Sequence, residues 1–99
     1  MINETSRSIS QWADETFGPV KSNYHIAVRA NLEMAELLKE LALDDSAYDA
    51  LEEIADIVIV LARIVDREGG SLQGLINEKM VVNRARKWKL DGSGQGYHV

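Results

Sequence analysis

Two pairs of carboxylates with the same spacing are the residues of this sequence best suited to chemistry. The segment "EMAE" contains Glu33 and Glu36, and the segment "EIAD" contains Glu53 and Asp56. On a helix, residues three apart share a face, so each pair projects from one side of its helix. Crowded carboxylates repel unless a cation lies among them, and a hard divalent ion such as Mg²⁺ takes oxygen ligands. The two segments predict a metal site if the fold brings them together.

Asp56 has the most unusual surroundings of the four. It is the only polar residue between Ile54 and Leu61. Eight residues wind around the whole circumference of a helix, so a helix that is apolar on all sides is expected to be covered on all sides. A buried carboxylate must be paired, hydrogen-bonded or bound to a metal. We therefore expect Asp56 to point into packed protein at the metal site.

The apolar pattern predicts an all-α chain with four helices, at about 8–17, 22–43, 47–67 and 72–88. In the second helix the expected core stripe is Met34, Leu37, Leu38 and Leu41. Glycine, proline or capping side chains mark the breaks, and they are Gly18-Pro19, Asp45 or Ser46, Gly69-Gly70 and Ser71. We expect residues 1–90 to form one domain and the glycine-rich residues 91–99 to form a flexible, irregular tail.

The third helix is expected to need a second copy of the chain. One face is formed by Leu51, Ile54, Ala55, Val58, Leu61, Ala62 and Val65, and the remaining faces carry Ile57, Ile59, Val60 and Ile64. Three other helices, one of them short, give thin cover for a helix that is apolar all round. The sequence predicts a bundle that is completed by homo-oligomerisation.

Hairpin geometry predicts which polar residues lie at the same level. About a turn at 43–46, antiparallel helices place Glu36 level with Glu53 and Glu33 level with Asp56. The midpoint coincides with the break found from the helical pattern. A single tight hairpin is therefore expected to gather all four carboxylates.

The fourth helix adds a basic stripe to this arrangement. Lys79, Asn83 and Arg86 follow helical spacing, and a turn at Gly69-Gly70 would place Asn83 level with Asp56. Lysine and arginine bind the phosphate oxygens that a metal does not reach. Carboxylates, a divalent metal and a basic stripe together predict metal-assisted hydrolysis of a phosphoanhydride.

Composition excludes several other classes of function. The chain has 99 residues, no cysteine and a formal net charge of −5, so disulfides and thiolate sites are absent and a nucleic-acid backbone is a poor partner. Its apolar runs are too short to span a bilayer, and "MINETSRSIS" has no apolar signal region. We expect a cytoplasmic protein that binds neither nucleic acid nor membrane.

The segments "NLEMAELLKEL", "LEEIADIVIVLARI" and "INEKMVVNRARKW" resemble the MazG-like all-α nucleoside triphosphate pyrophosphohydrolases over about residues 8–90. The resemblance implies a four-helix, MazG-like bundle that forms dimers or tetramers. It also implies Mg²⁺- or Mn²⁺-dependent cleavage of a nucleoside triphosphate to the monophosphate and pyrophosphate. By this resemblance the metal ligands are Glu33, Glu36, Glu53 and Asp56, with Glu36 or Glu53 as the proton acceptor. The implied phosphate contacts are Lys79, Asn83 and Arg86, with Arg84 as a rival for Arg86.

No compact motif identifies a pocket for the nucleobase. Trp12 is a candidate for stacking on the base, although a tryptophan on the apolar face of a short helix also suits a core position. Asn31 and His25 lie upstream of the first carboxylate pair and are candidates for contacts to base or sugar. Trp88 suits packing at the end of the fourth helix.

Two alternative functions also fit parts of the sequence. A ferritin-like di-metal protein would use Glu-x-x-His pairs, and neither histidine follows a relevant glutamate at that spacing. A non-catalytic helical oligomeric interaction module explains the amphipathic helices, with the carboxylates and lysines as ordinary surface charges. That second alternative leaves Asp56 unexplained.

Overall fold

A computed structural model describes residues 3–45 and 48–99. Within these residues the chain forms four α-helices, a short 3-10 helix and a small β-hairpin. The elements are α1 (Ser6–Phe17), α2 (Asn23–Leu43), the 3-10 helix (Tyr48–Ala50), α3 (Leu51–Arg67), α4 (Leu72–Ala85), β1 (Trp88–Leu90) and β2 (Gly96–His98). The all-α prediction is confirmed in the sense that most of the described residues are helical. Among the described residues, no helix is long and apolar enough to cross a membrane.

Side-chain caps define the first two helices. At the start of α1, Thr5 Oγ1 accepts a hydrogen bond from the backbone of Ser8, whose hydroxyl accepts from the backbone of Thr5. This capping box starts the helix two residues before the expected position. The helix ends at Gly18, whose φ of 83° favours glycine. Ser22 Oγ accepts from the backbone of His25 at the start of α2.

The third helix begins later than expected. A 3-10 turn covers Tyr48–Ala50, and α3 follows with Ala50 at its N-cap and no capping side chain. Asp45 is therefore not its N-cap, because the 3-10 turn lies between it and α3. Ser46, the other predicted cap, lies outside the described residues.

The fourth helix is shorter than predicted, and the tail contains a strand. Ser71 caps α4 as expected, but the helix ends at Ala85, with Arg86 in extended conformation. Trp88 starts β1, which pairs antiparallel with β2 of the glycine-rich tail. The Trp88 indole donates to the Asn83 carbonyl at 2.9 Å, so its ring turns back onto the helix end. Trp88 therefore lies at the end of the fourth helix as expected, whereas the predicted irregular tail is replaced in part by strand β2 of this hairpin.

The core lies in the seam between α2 and α3, and α1 packs against the other end of α3. It consists of Leu37, Ala50 and Ile57, with Leu41 packed beside them. Of the predicted core stripe of α2, Met34 and Leu38 are exposed. The seam uses a neighbouring stripe of that helix instead, with Ile26 and Ala30 buried alongside Leu37.

The first of the predicted apolar faces of α3 is mostly uncovered within one chain. Leu51, Ile54, Val58 and Leu61 are all exposed, whereas Ile57 on the adjoining face is buried against α2. Periodicity could not distinguish these faces, because α3 is apolar on nearly every side. The direction from which α2 approaches decided which side became core.

The fourth helix leaves the body of the chain. It has no buried residue and makes few contacts with α3. The accessible surface is 8074 Å² for 11.0 kDa, whereas a compact monomer of this mass exposes about 5,600 Å². The radius of gyration is 16.0 Å, against about 13 Å for a compact domain of this length. The single chain therefore has much surface left to bury.

Candidate functional site

Three of the four predicted metal ligands meet across the seam between α2 and α3. Carboxylate oxygens of Glu33, Glu53 and Asp56 all lie within 4.8 Å of one another. Glu33 comes from α2 and the other two come from α3. The hairpin register inferred from the sequence placed these residues at adjacent levels, and the structure brings them together as expected.

Glu53 is the central member of this carboxylate cluster. Its Oε2 atom is buried and has no hydrogen-bond partner among the described residues. Burial raises the pKa of Glu53, a hydrogen bond with the Glu33 side chain raises it further, and the charges of Glu40, Glu33 and Asp56 add to the effect. An oxygen that lacks a donor, among three other carboxylates, is a place where a cation would lower the free energy.

Asp56 does not occupy the environment that the sequence predicted. It is exposed, although it belongs to the carboxylate cluster. The reason is that α2 and α1 approach α3 from two directions and leave Asp56 at an opening between them. The fourth helix, whose Asn83 was expected to lie level with Asp56, makes few contacts with α3.

Glu36 lies apart from the other three carboxylates. It is exposed and outside the cluster, whereas Glu40 is close enough to raise the pKa of Glu53. Glu33, Leu37 and Glu40 share the stripe of α2 that faces α3, and Glu36 lies beside this stripe. Glu40 was not among the predicted site residues. Its seven-residue spacing from Glu33 nevertheless places it on the same stripe of the helix.

A cavity of about 500 Å³ opens next to the carboxylate cluster. Glu33 and Asp56 form its acidic edge, and the rest of its wall comes from α1, α2 and α3. Trp12 and Phe17 contribute aromatic rings whose centroids are 5.4 Å apart at an interplanar angle of 81°. The remaining lining residues are Ala13, Val20, His25, Ile26, Arg29, Ile59, Val60 and Arg63. The predicted candidates Trp12 and His25 therefore lie in one cavity with the carboxylates.

Two arginines that the sequence analysis did not select also line this cavity. Arg29 forms an ion pair with Glu33 at 2.9 Å. Arg63 has a side chain only 12% exposed, and its Nη2 donates to Asp14 Oδ1 at 2.6 Å and to the Gly18 carbonyl at 2.7 Å. The spacing of Arg29 four residues before Glu33 was a visible signal for the first. No local pattern connects Arg63 to Asp14, because 49 positions separate them.

The predicted phosphate contacts do not contribute to the wall of the cavity. Lys79 and Asn83 lie on α4, Arg86 and its rival Arg84 lie at its end, and none of them lines the cavity. Asn31, the second candidate for the base, is exposed on α2 and is likewise absent from the lining. The sequence pattern correctly predicted that Lys79 and Asn83 share one helix. It did not predict where that helix lies relative to the cavity.

The carboxylate cluster fits a hard divalent cation. Its donors are all oxygens, they come from two helices, and one of them is buried without a hydrogen-bond donor. Mg²⁺ and Mn²⁺ favour this donor set. No family model, no curated protein and no solved structure matches the chain.

Proposed function

We propose that this protein is a cytoplasmic, metal-dependent nucleoside triphosphate pyrophosphohydrolase of the MazG-like type. It converts a (d)NTP and water to the (d)NMP and pyrophosphate, and this reaction serves to clean the nucleotide pool. The observation that carries the proposal is the position of the Glu33–Glu53–Asp56 cluster at the edge of a cavity with an aromatic wall. A cluster of carboxylate oxygens lies beside a cavity that could hold a flat nucleobase. This arrangement suits a substrate with phosphates at one end and a base at the other.

Glu33, Glu53 and Asp56 would hold the metal ion. When bound, a divalent ion neutralises phosphate charge and lowers the pKa of a coordinated water. Glu53 Oε2 is suited to accept the proton of the attacking water, because this oxygen is buried and has no hydrogen-bond donor among the described residues. The water then attacks a phosphoryl group in line, and pyrophosphate departs with the electron pair of the broken P–O bond.

The cavity would receive the nucleoside. Trp12 offers an aromatic ring for stacking, and Val20, Ile59 and Val60 form an apolar wall that excludes water. Arg29 also lines the cavity and pairs with Glu33. It is placed to meet a phosphate or sugar oxygen when the substrate enters.

The proposed enzyme is a homo-oligomer, a dimer or a tetramer. The exposed side of the α2–α3 hairpin carries Met34 and Leu38 together with Ile54, Val58 and Leu61. The surplus of exposed surface is about 2,500 Å² per chain, or about 5,000 Å² for two chains, which lies toward the upper end of the total area that obligate homodimers bury. Burial of this apolar face against a second copy supports the bundle and leaves the carboxylate side open.

The decisive experiment measures pyrophosphate and monophosphate release from canonical and modified (d)NTPs with Mg²⁺, with Mn²⁺ and with chelator. We expect metal-dependent release that is lost in Glu53→Gln and Asp56→Asn. Glu52→Gln is the matched control, since Glu52 shares the first turn of α3 with Glu53 but lies outside the cluster. A folded, metal-loaded sample that cleaves no member of the panel would contradict the proposed function.

A second candidate function is a non-catalytic helical interaction module. The observation that favours it is the amount of apolar surface exposed on α4, where Leu75, Ile76 and Val81 are uncovered. It predicts self-association without nucleotide hydrolysis, and it gives no role to the cavity or to the buried oxygen of Glu53.

A further inference from the structure

The connection between α1 and α2 forms part of the cavity wall. It consists of residues 18–22, which we call the strap. Val20 lines the cavity from the strap itself, and Phe17 and His25 line it from the two adjoining helix ends. The wall is therefore continuous from one helix through the strap to the other, and a movement of the strap changes the shape of the cavity.

The strap lies at the end of the cavity remote from the carboxylate cluster. On α3 the lining runs from Asp56, which belongs to the cluster, to Arg63, whose Nη2 donates to the Gly18 carbonyl at 2.7 Å. These two lining positions are seven residues apart on the helix, which corresponds to about 10 Å at 1.5 Å per residue. The strap therefore faces the part of a ligand that is furthest from a metal ion held by the carboxylates.

Side chains fasten the strap to α3 at two levels. The inner level is the bond from Arg63 to the strap carbonyl, and the outer level lies one turn further along α3. There Arg67 Nε donates to Asn23 Oδ1 at 2.7 Å, and its Nη1 donates to the Val20 carbonyl at 3.5 Å. Asn23 Nδ2 in turn donates to Glu68 Oε1 at 2.7 Å. Within the part of the chain that the structure describes, no backbone–backbone hydrogen bond joins the strap to α3.

The two levels differ in their exposure to solvent. The bond from Arg63 to the Gly18 carbonyl is part-buried, whereas every bond of the outer level is exposed. Water competes for exposed hydrogen bonds and screens their charges, so such bonds break at a small cost in free energy. The outer level is therefore the one that opens first.

The helices on either side of the strap do not depend on it for their packing. Ala13 of α1 and Ile26 of α2 are both buried, and each of these helices packs against α3. Gly18 begins the strap with a φ of 83°, and a glycine at the end of a helix readily absorbs the backbone rotation of a hinge. A rotation there moves residues 19–22 outward while the three helices stay packed.

We propose that the strap is a gate of the cavity, which opens when Asn23 leaves Arg67 and Glu68 and closes over a bound ligand when these hydrogen bonds form again. Asn23 and Arg67 are positioning residues, because they hold the strap and neither of them lines the cavity. The inference rests on the proposed function for the identity of the ligand, which is the nucleoside end of a nucleoside triphosphate. The opening itself requires neither metal nor turnover.

A single thiol measures this opening without any assay of activity. The chain has no cysteine, so Val20→Cys places one thiol at the half-buried position of the strap, and Thr16→Cys places one at an exposed position of α1. An aromatic disulfide reagent is added in chelator, and release of its coloured thiolate is followed. Addition of Asn23→Ala should speed the reaction at position 20 about 10-fold, the factor that corresponds to ~1.4 kcal/mol. The rate at position 16 should stay the same.

Further variants separate the loss of the outer level from other effects of the substitution. Asn23→Asp combined with Glu68→Gln exchanges donor and acceptor across the 2.7 Å contact, so this double variant should keep the slow reaction at position 20. Arg67→Ala removes the outer level from the α3 side and should speed the reaction as Asn23→Ala does. Lys21→Ala is the matched control within the strap, because its side chain is exposed and lies outside the outer level. Circular dichroism checks that every variant keeps its helices.

Two results would overturn the gate. One is a reaction rate at position 20 that neither Asn23→Ala nor Arg67→Ala changes, and the other is a double variant that reacts as fast as Asn23→Ala.

Turnover is measured separately. With the outer level removed, KM for a cleaved (d)NTP should rise while kcat is retained, because the strap holds the nucleoside end and the carboxylates are unchanged. A wild type that cleaves no (d)NTP but shows the expected thiol rates would contradict the proposed function and leave the gate standing. The two failures are therefore distinguishable.

Discussion

The guanidinium of Arg63 joins the middle of the bundle to the end of α1. Its Nη2 atom donates to Asp14 Oδ1 at 2.6 Å and to the Gly18 carbonyl at 2.7 Å, and its Nε is buried without a partner among the described residues. Because α1 carries Trp12 and Phe17, this contact holds the aromatic wall of the cavity against α3. One side chain thus connects the stability of the fold to the shape of the site.

Replacement of Arg63 by alanine should destabilise the chain and loosen this wall. The change leaves the Gly18 carbonyl without its donor, and loss of one partner of a part-buried hydrogen bond costs about 1–3 kcal/mol of unfolding free energy. Urea unfolding measures the loss. Arg29→Gln is the control, since its ion pair with Glu33 is largely exposed on the arginine side and such pairs contribute about 0–1 kcal/mol. Equal unfolding free energies of the two variants would show that the Arg63 contact does not stabilise the fold.

Stability should fall as pH rises through the pKa of Glu53. Its pKa in the folded state is raised above the ordinary glutamate value of 4.5, so folding favours the protonated form. Below pH 4.5 this group is protonated in both states, and above it ionisation in the folded chain costs free energy. In chelator, Glu53→Gln should therefore gain stability over the wild type increasingly above that pH. A difference that stays constant between pH 4 and 8 would refute the shift.

Divalent metal should stabilise the wild type and should do so through Glu53. Binding to the folded state alone raises the free energy of unfolding by RT ln(1 + [L]/Kd), which is about 2.7 kcal/mol at a hundredfold excess over Kd. We expect Mn²⁺ to raise the melting temperature of the wild type and of Glu52→Gln, but not that of Glu53→Gln. A rise in all three proteins would place the metal elsewhere.

Trp12 should report occupation of the cavity by a nucleotide. The chain contains two tryptophans, Trp12 at the cavity and Trp88 in the C-terminal hairpin. In Trp88→Phe, a stacked base should quench the remaining fluorescence, whereas in Trp12→Phe it should not. Trp12→Ala should raise KM by about 5- to 160-fold, which corresponds to the loss of ~1–3 kcal/mol of stacking on one base. Quenching seen only for Trp88 would move the base site to the hairpin.

The sequence by itself determined the helical class, the hairpin of α2 and α3, and the meeting of Glu33 with Glu53 and Asp56. Each of these follows from local periodicity: residues three or seven apart share a face, and a short break fixes the register of two antiparallel helices. Ser22 and Ser71 marked helix starts for the same reason, since a capping side chain acts on the backbone of its own next turn.

Only the tertiary structure decided which faces are covered. The third helix is apolar on almost every side, so the sequence could not show that Ile57 would be buried while Ile54 and Val58 stayed exposed. It also could not show that Glu40 rather than Glu36 would lie near Glu53, or that Arg63 would reach Asp14. These outcomes depend on the direction from which each helix packs against α3. Long-range packing sets that direction, and it produces no periodic pattern in the sequence.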